Sequence, residues 1–310
     1  MSYDIIGDIH GCGDTLTCLL TKLGYARDDK GVFRHPDRIV IFLGDFVDRG
    51  PQQREVISIV RAMIDGGSAQ SVMGNHEYNA IAYATPDEAE GGFLRTHSEK
   101  NLGQHSAFLE AYADDPNAYA EAIEWFRALP LWLDLGGLRV IHACWDREMI
   151  ARLGAPVLTD DLLHASCDKS RWQYEAIETI LKGKEIPLPD GHMFHDKEGK
   201  ARHHIRIRWW DRTATTYAMA FLGPESARTH IPDDEIVGDH LIEYSHEEPP
   251  VFLGHYWLEG TPNRLAPNIA CVDYSVAKPG GKLTAYRWDG ERKLSRDKFV
   301  VVERQEQEVA

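Results

Sequence analysis

The 310-residue chain reads as an α/β fold built on mixed sheets, and three observations lead there. Its first third alternates short apolar runs with amphipathic helices. Two long inserts then interrupt that rhythm, one helix-rich and one mixed. The last segments return to short strands. The opening β-loop-α repetition predicts parallel strands joined by right-handed crossovers.

An apolar run at 3–6 predicts the first strand. Asp14 then caps a helix reaching about residue 22, with Leu16, Leu19, Leu20 and Leu23 on one face. Residues 39–43 form the second strand. Past Arg49-Gly50-Pro51, residues 54–65 read as a second helix with Val56, Ile59, Val60 and Met63 as its apolar stripe, ended by Gly66-Gly67. Residues 69–73 give the third strand. From about 85 to 130 the chain is rich in Ala, Glu and aromatics, with a helix over 118–129. A strand at 138–141 follows. The second insert, about 146–248, holds a helix over 169–182, a Gly/Pro-rich loop at 183–191 and a basic stretch at 200–212. Such inserts form loops or lids over a site. Residues 251–253 are strand, and 269–273, 283–288 and 298–302 read as antiparallel strands. The expectation is a single domain over 1–302 with a frayed tail at 303–310.

Composition narrows the function classes. Apolar residues make up 43% and charged residues 27%, which fits a globular protein without a membrane span. A formal net charge of -15 argues against bulk binding to nucleic acid or anionic membrane. The N-terminus enters a strand without a signal-peptide pattern, and five cysteines show no C-x-x-C pair. Both features point to the cytoplasm.

Five motifs carry chemistry, and each follows an apolar run. They are Gly7-Asp8-Ile9-His10-Gly11, Gly44-Asp45-Phe46-Val47-Asp48-Arg49-Gly50, Gly74-Asn75-His76-Glu77, His142 and Gly254-His255. Carboxylate, imidazole and amide oxygen are ligands for divalent cations, and strand carboxyl ends are where ligands gather in open α/β sheets. Asp8 and His10, two apart, share one side if the segment stays extended. Asp45 is the natural bridging carboxylate. Asn75 offers a neutral oxygen, and His142 and His255 offer imidazoles. Helix capping explains a single Asp or Asn here, but not three histidines at strand ends. The ligand types suit Mn²⁺ foremost, with Fe or Zn as alternatives, and disfavour Ca²⁺. His76 adjoins Asn75 and suits a general acid, with Asp48 orienting its ring. Arg49 is placed to clamp phosphate oxygens, the plain alternative being an ion pair with Glu77 or Asp48.

In the basic stretch, Arg206 and Arg208 share a face if extended, and Trp209 and Trp210 can stack on a nucleobase or lie in the core. Cys144 reads as a small packed residue rather than a redox thiol. His192, His195, His203 and His204 read as surface imidazoles.

The motif series resembles the phosphoprotein phosphatase branch of the calcineurin-like metallophosphoesterases. Residues 4–25 are most similar to the bacterial group holding symmetrical and PrpE-type bis(5'-nucleosyl)-tetraphosphatases and the phosphatase domain of polynucleotide kinase-phosphatase. The resemblance is dense over 3–80, patchy at 138–145 and 250–286, and absent from the inserts. It implies a four-layer α+β fold: a central β-sandwich of mixed sheets flanked by helices, with the inserts capping the site. It also implies two metal ions and one-step hydrolysis by a metal-bridging hydroxide. Asp8, His10 and Asp45 would hold one metal, and Asp45, Asn75, His142 and His255 the other. His76 with Asp48 would be the acid dyad, Arg49 a phosphate ligand, and Arg206 or Arg208 a second one. Three departures stand out: Ala143-Cys144 for Gly-Gly or Ala-Gly, Tyr256-Trp257 for Thr-Pro, and Asp273-Tyr274-Ser275 for Asp-Thr-Gly. The expected function is a serine/threonine-phosphatase-like phosphomonoesterase. Hydrolysis of diadenosine polyphosphates is the alternative, and a non-catalytic metal- or nucleotide-binding regulator is the reading from another class. The expected partner is a phosphoprotein, nucleotide or dinucleoside polyphosphate.

Overall fold

The computed structural model describes residues 2–195, 201–223, 225–238 and 240–305. Two sheets face each other. The first has strand order β8-β9-β1-β2-β3, with β10 also paired to β9: β1 is Ser2–Ile6, β2 Arg38–Phe42, β3 Ala69–Ser71, β8 Asp273–Tyr274, β9 Lys282–Trp288 and β10 Phe299–Glu303. The second runs β7-β6-β5-β4, with β4 Trp132–Asp134, β5 Arg139–Ile141, β6 Val251–Leu253 and β7 Ile269–Cys271. As expected, β1, β2 and β3 are parallel, in the register Ile5↔Ile41 and Val40↔Ala69. Strand β9 is antiparallel to β1, with Ile5 opposite Tyr286.

Strand alternation builds the layers. Ile5, Ile41 and Val72 of the first sheet meet Val140, Phe252 and Ala270 of the second in one buried cluster. Their chain neighbours Ile6, Val40, Phe42, Ile141, Leu253 and Cys271 turn to the other faces. Successive side chains on a strand point oppositely, so strands apolar at every position cover both faces of each sheet. Helices α1 (Gly13–Leu23) and α2 (Gln53–Asp65) bring Leu16, Leu19, Leu20, Val56, Val60 and Met63 into the outer cluster.

Four expectations need correction. Asp14 is not the cap of α1: Cys12 holds that position without a side-chain bond, and Asp14 sits in the first turn, where a carboxylate favours the helix dipole. The run 269–273 is not one antiparallel strand. Ile269–Cys271 lies parallel to β6, and the chain changes sheet at Val272, whose N–H donates to Leu253 O at 2.8 Å. The loop at 183–191 contains a short strand, Glu185–Pro187, paired with His204–Arg206. The tail begins later than residue 303, since Glu303 pairs with Lys282; residues 306–310 and Lys200 lie outside the described residues.

The inserts contribute to the core. Helix α6 (Trp172–Lys182), with Ile177, Ile180 and Leu181, and the segment Ile205, Ile207 and Trp209 join the outer cluster. Helices α4 (Glu99–Ala111) and α5 (Pro116–Arg127, capped by Asp115) bring Phe108 and Phe126 into it beside α3 (Asn75–Ala84). Among the described residues no helix is long and apolar enough to cross a membrane.

Candidate metal centre

The carboxyl ends of β1, β2, β3, β5 and β6 converge, and backbone hydrogen bonds strap their loops together. Ile9 N and His10 N both donate to Asp45 O, at 3.0 and 2.9 Å, and Gly11 N donates to Phe46 O at 2.8 Å. Gly254 N donates to His142 O at 2.8 Å. Glycine is required at 254, because a Cβ there would stand 2.3 Å from Asp8 Oδ1. Non-glycine residues with positive φ gather in these loops: His10, Asp45, Asp48, Arg49, His255, Trp257 and Ser275. Such a conformation costs about 1–3 kcal/mol per residue and persists only where the surroundings impose it, commonly at a functional site. His10, at φ 47°, also shows that the Asp8–His10 segment turns rather than staying extended. The shared side expected from strand alternation therefore does not apply.

Asp45, 1% exposed, is the hub. Its Oδ2 lies 3.4 Å from His142 Nε2, 3.7 Å from His10 Nε2 and 3.9 Å from His76 Nε2. Asn75 Oδ1 is 3.2 Å from His142 Nε2 and 2.7 Å from His255 Nδ1. Two sets bring their ligand atoms within 4.8 Å of one another: His10, Asp45 and His76, and Asp45, His142 and His255. Asp8 belongs to neither set; its carboxylate accepts the backbone N–H of His255 at 3.1 Å.

These residues fit divalent cations on two independent grounds. The Nδ1 atoms of His10 and His142 lie 2.9 and 2.6 Å from the carbonyls of Val47 and Leu43, contacts only an N–H can make favourably. That fixes the tautomer with the Nε2 lone pair turned inward, as in a metal-ligating histidine. Secondly, His10 Nε2, Asp45 Oδ2 and His255 Nε2 are buried without a hydrogen-bond partner. Leaving a buried polar atom unpaired costs about 1–3 kcal/mol, so three at one point call for a ligand.

Electrostatics agree. Burial alone would raise the Asp45 carboxyl, but His142, His76 and His10 hold it well below the ordinary carboxylate range. Burial and the His76 charge push His10 down to about 3, leaving a neutral donor. Burial opposes charge on His142, yet Asp45 raises it to about 10. A proton there occupies the gap between imidazole and carboxylate that a cation would fill. Burial also raises Asp8, reinforced by Asp273.

His76 stands one residue past Asn75 at the start of α3. Its N–H donates to Asp45 Oδ1 at 2.9 Å and its Nδ1 meets Asp48 Oδ2 at 2.5 Å. Burial would lower its pKa; Asp45 and Asp48 outweigh that and raise it. Glu77 accepts from the backbone N–H groups of Asp45, Phe46 and Gly74 at 2.7, 2.8 and 3.0 Å, so it is committed to holding two loops. His105, which sequence reasoning missed, places Nδ1 2.8 Å from Asp48 Oδ1. Its only signal was a histidine in a helical insert, 57 residues from Asp48.

Arg49 makes no ion pair with Glu77 or Asp48. It is exposed, and its guanidinium carbon lies 3.7 Å from the centroid of the Trp257 ring. Arg206, half-buried, has Nε 3.5 Å from Glu185 Oε1, and its charge helps burial depress His255. Past strand His204–Arg206 the chain stays extended, with Ile207 bridged antiparallel to Phe221, and Arg206 and Arg208 are both half-buried between buried Ile205, Ile207 and Trp209. Trp209 and Trp210 are 0% and 7% exposed and belong to the core, which removes them from base stacking. Cys144 is fully buried, with its thiol pushed up by burial, and His192, His195, His203 and His204 are exposed.

Comparisons with known proteins give the family. The chain belongs to the calcineurin-like phosphoesterase family, whose model matches residues 1–255. It is 45% identical over 148 residues to the bis(5'-nucleosyl)-tetraphosphatase PrpE [asymmetrical] of Bacillus subtilis, covering 46% of this chain and 57% of that one. It is 36% identical over 166 residues to PrpE of Geobacillus thermodenitrificans, covering 51% and 64%. The matched stretch thus spans between half and two thirds of these PrpE relatives. A symmetrical bis(5'-nucleosyl)-tetraphosphatase from Hamiltonella defensa is 24% identical over 307 residues, covering 94% and 95%. Among solved structures, a protein serine/threonine phosphatase from Saccharomyces cerevisiae superposes with a TM-score of 0.55 at 16% identity, covering 100% of this chain and 82% of that one, a likeness of fold.

Proposed function

We propose that the chain is a two-metal phosphoesterase that hydrolyses phosphate monoesters, in a single domain with Asp45 as the bridging ligand. One observation carries this reading: a buried carboxylate oxygen lies 3.4–3.9 Å from imidazole nitrogens of three histidines and has no hydrogen-bond partner. Asp8, His10 and Asp45 would hold one ion, and Asp45, Asn75, His142 and His255 the other. Two divalent cations held by these residues would supply an activated water and neutralise phosphate charge. His76, whose charged form Asp45 and Asp48 favour, donates a proton to the leaving oxygen. Arg49 binds phosphate oxygens, and Arg206 is the better candidate than Arg208 for a second grip, since its charge reaches His255. The mixed nitrogen and oxygen ligation favours Mn²⁺ over Ca²⁺. Five free cysteines support a reducing, cytoplasmic setting.

A second reading, hydrolysis of dinucleoside polyphosphates, draws on the names of the PrpE and symmetrical tetraphosphatase relatives. The deciding experiment loads the protein with Mn²⁺ and compares an aryl phosphate, phosphopeptides, nucleotide monoesters and diadenosine tetraphosphate. Turnover abolished by Asp45→Asn, and reduced by His76→Asn on the esters whose leaving group needs a proton, supports the phosphoesterase. No turnover of any ester, at two metal ions per chain, makes it a binding regulator instead.

A further inference from the structure

Two of the three sequence departures meet in space: Trp257 N donates to Asp273 Oδ2 at 2.6 Å. The contact holds a tryptophan at φ 55°, half-buried, with its ring centroid 5.5 Å from that of His10. Lys278 Nζ lies 4.5 Å from the centroid of the same indole, and 3.8 Å from Glu259. The ring is therefore fixed by its own backbone, by Asp273 and by Lys278 before any ligand arrives.

Resting on the phosphoesterase reading, we infer that Trp257 is a positioning residue that presents Arg49 to the substrate phosphate. An arginine is usually oriented by a carboxylate, but a bidentate ion pair uses the in-plane N–H groups that phosphate needs. The nearby carboxylates are engaged elsewhere. Asp48 faces His76 and His105, Glu77 accepts three backbone N–H groups, and Asp273 accepts Trp257 N and Ser275 N. Among the described residues, no carboxylate oxygen lies within 4.0 Å of an Arg49 nitrogen. A π face at 3.7 Å orients the guanidinium plane while leaving its in-plane N–H fork free. The same contact argues against Trp257 as a base-stacking platform, because its ring already carries a guanidinium.

The test measures orthophosphate affinity by calorimetry on the Mn²⁺-loaded protein, alongside KM and kcat for an aryl phosphate. Trp257→Leu should weaken phosphate and raise KM by about 3- to 30-fold, the range expected for a cation–π contact, with kcat lowered less. Trp257→Phe, which keeps a π face, should stay within about threefold of wild type. In an Arg49→Ala background Trp257→Leu should add nothing. Metal content and melting temperature of each variant identify a folding defect, and Trp257→Phe then decides between a π contact and bulk. Affinity unchanged in Trp257→Leu while Arg49→Ala weakens it overturns the positioning role alone, as does full additivity of the two changes. Absence of turnover in wild type, with phosphate affinity indifferent to Arg49→Ala, overturns the phosphoesterase reading beneath it.

Discussion

His105 Nδ1 lies 2.8 Å from Asp48 Oδ1, on the opposite carboxylate oxygen from the one His76 meets at 2.5 Å. Asp48 is thus held between two imidazoles from different helices, α4 and α3. Both contacts, against the opposing effect of burial, keep its carboxyl well below the usual range. The permanent anion orients the His76 ring from one side while His105 fixes the anion from the other.

His105→Phe should therefore lower kcat by about 10- to 100-fold without removing metal, the usual scale for losing an outer-shell partner. His105→Gln, whose side-chain N–H can replace the lost donor, should recover part of it. Steady-state kinetics with metal analysis checks both; full activity in His105→Phe would assign the residue to packing alone.

His76→Asn should reduce kcat by about 10²–10⁴ for an alkyl phosphate and by much less for a nitrophenyl ester, whose leaving group needs no proton. The pH dependence follows from sign. Asp45 and Asp48 raise His76 above its ordinary 6.5 despite burial, so its acid form persists to higher pH than that of a free imidazole. Activity on the alkyl ester should fall as pH climbs through that raised value, and the decline should vanish in the variant.

Asp45→Asn removes the anion that three imidazoles surround. Bound metal should drop below two ions per chain, and activity should fall by at least about 100-fold. Elemental analysis of the purified variant reads the first, and retention of both ions would remove Asp45 as the bridge.

Stripping metal with a chelator should lower the melting temperature, because His10 Nε2, Asp45 Oδ2 and His255 Nε2 would again be unpaired. Excess Mn²⁺ at 100 times its Kd should restore about 2.7 kcal/mol of stability relative to the metal-free protein. An unchanged melting curve would count against a cation at this point.

The candidate ligand set was legible because each member sits beside its own strand, where local pattern is informative: Asp8 and His10 after 3–6, Asp45 after 39–43, Asn75 after 69–73. The second sheet was harder. Residues 269–273 form one apolar run in the chain but serve two sheets, and no local signal marks the switch at Val272. Trp209 and Trp210 stayed open between two readings for a related reason: a basic, aromatic stretch reads alike as a binding strip or as an outer layer over a sheet.

Residue types and their spacing after each apolar run determined the candidate ligands and their order along the chain, since strand ends and ligand identity are local properties. Which histidine braces Asp48, and which tryptophan carries Arg49, only the folded chain decided. Those contacts join α4 to the β2 loop and the β6 loop to the β2 loop, across 57 residues in the first case. Packing alone brings such distant segments within hydrogen-bonding or stacking range.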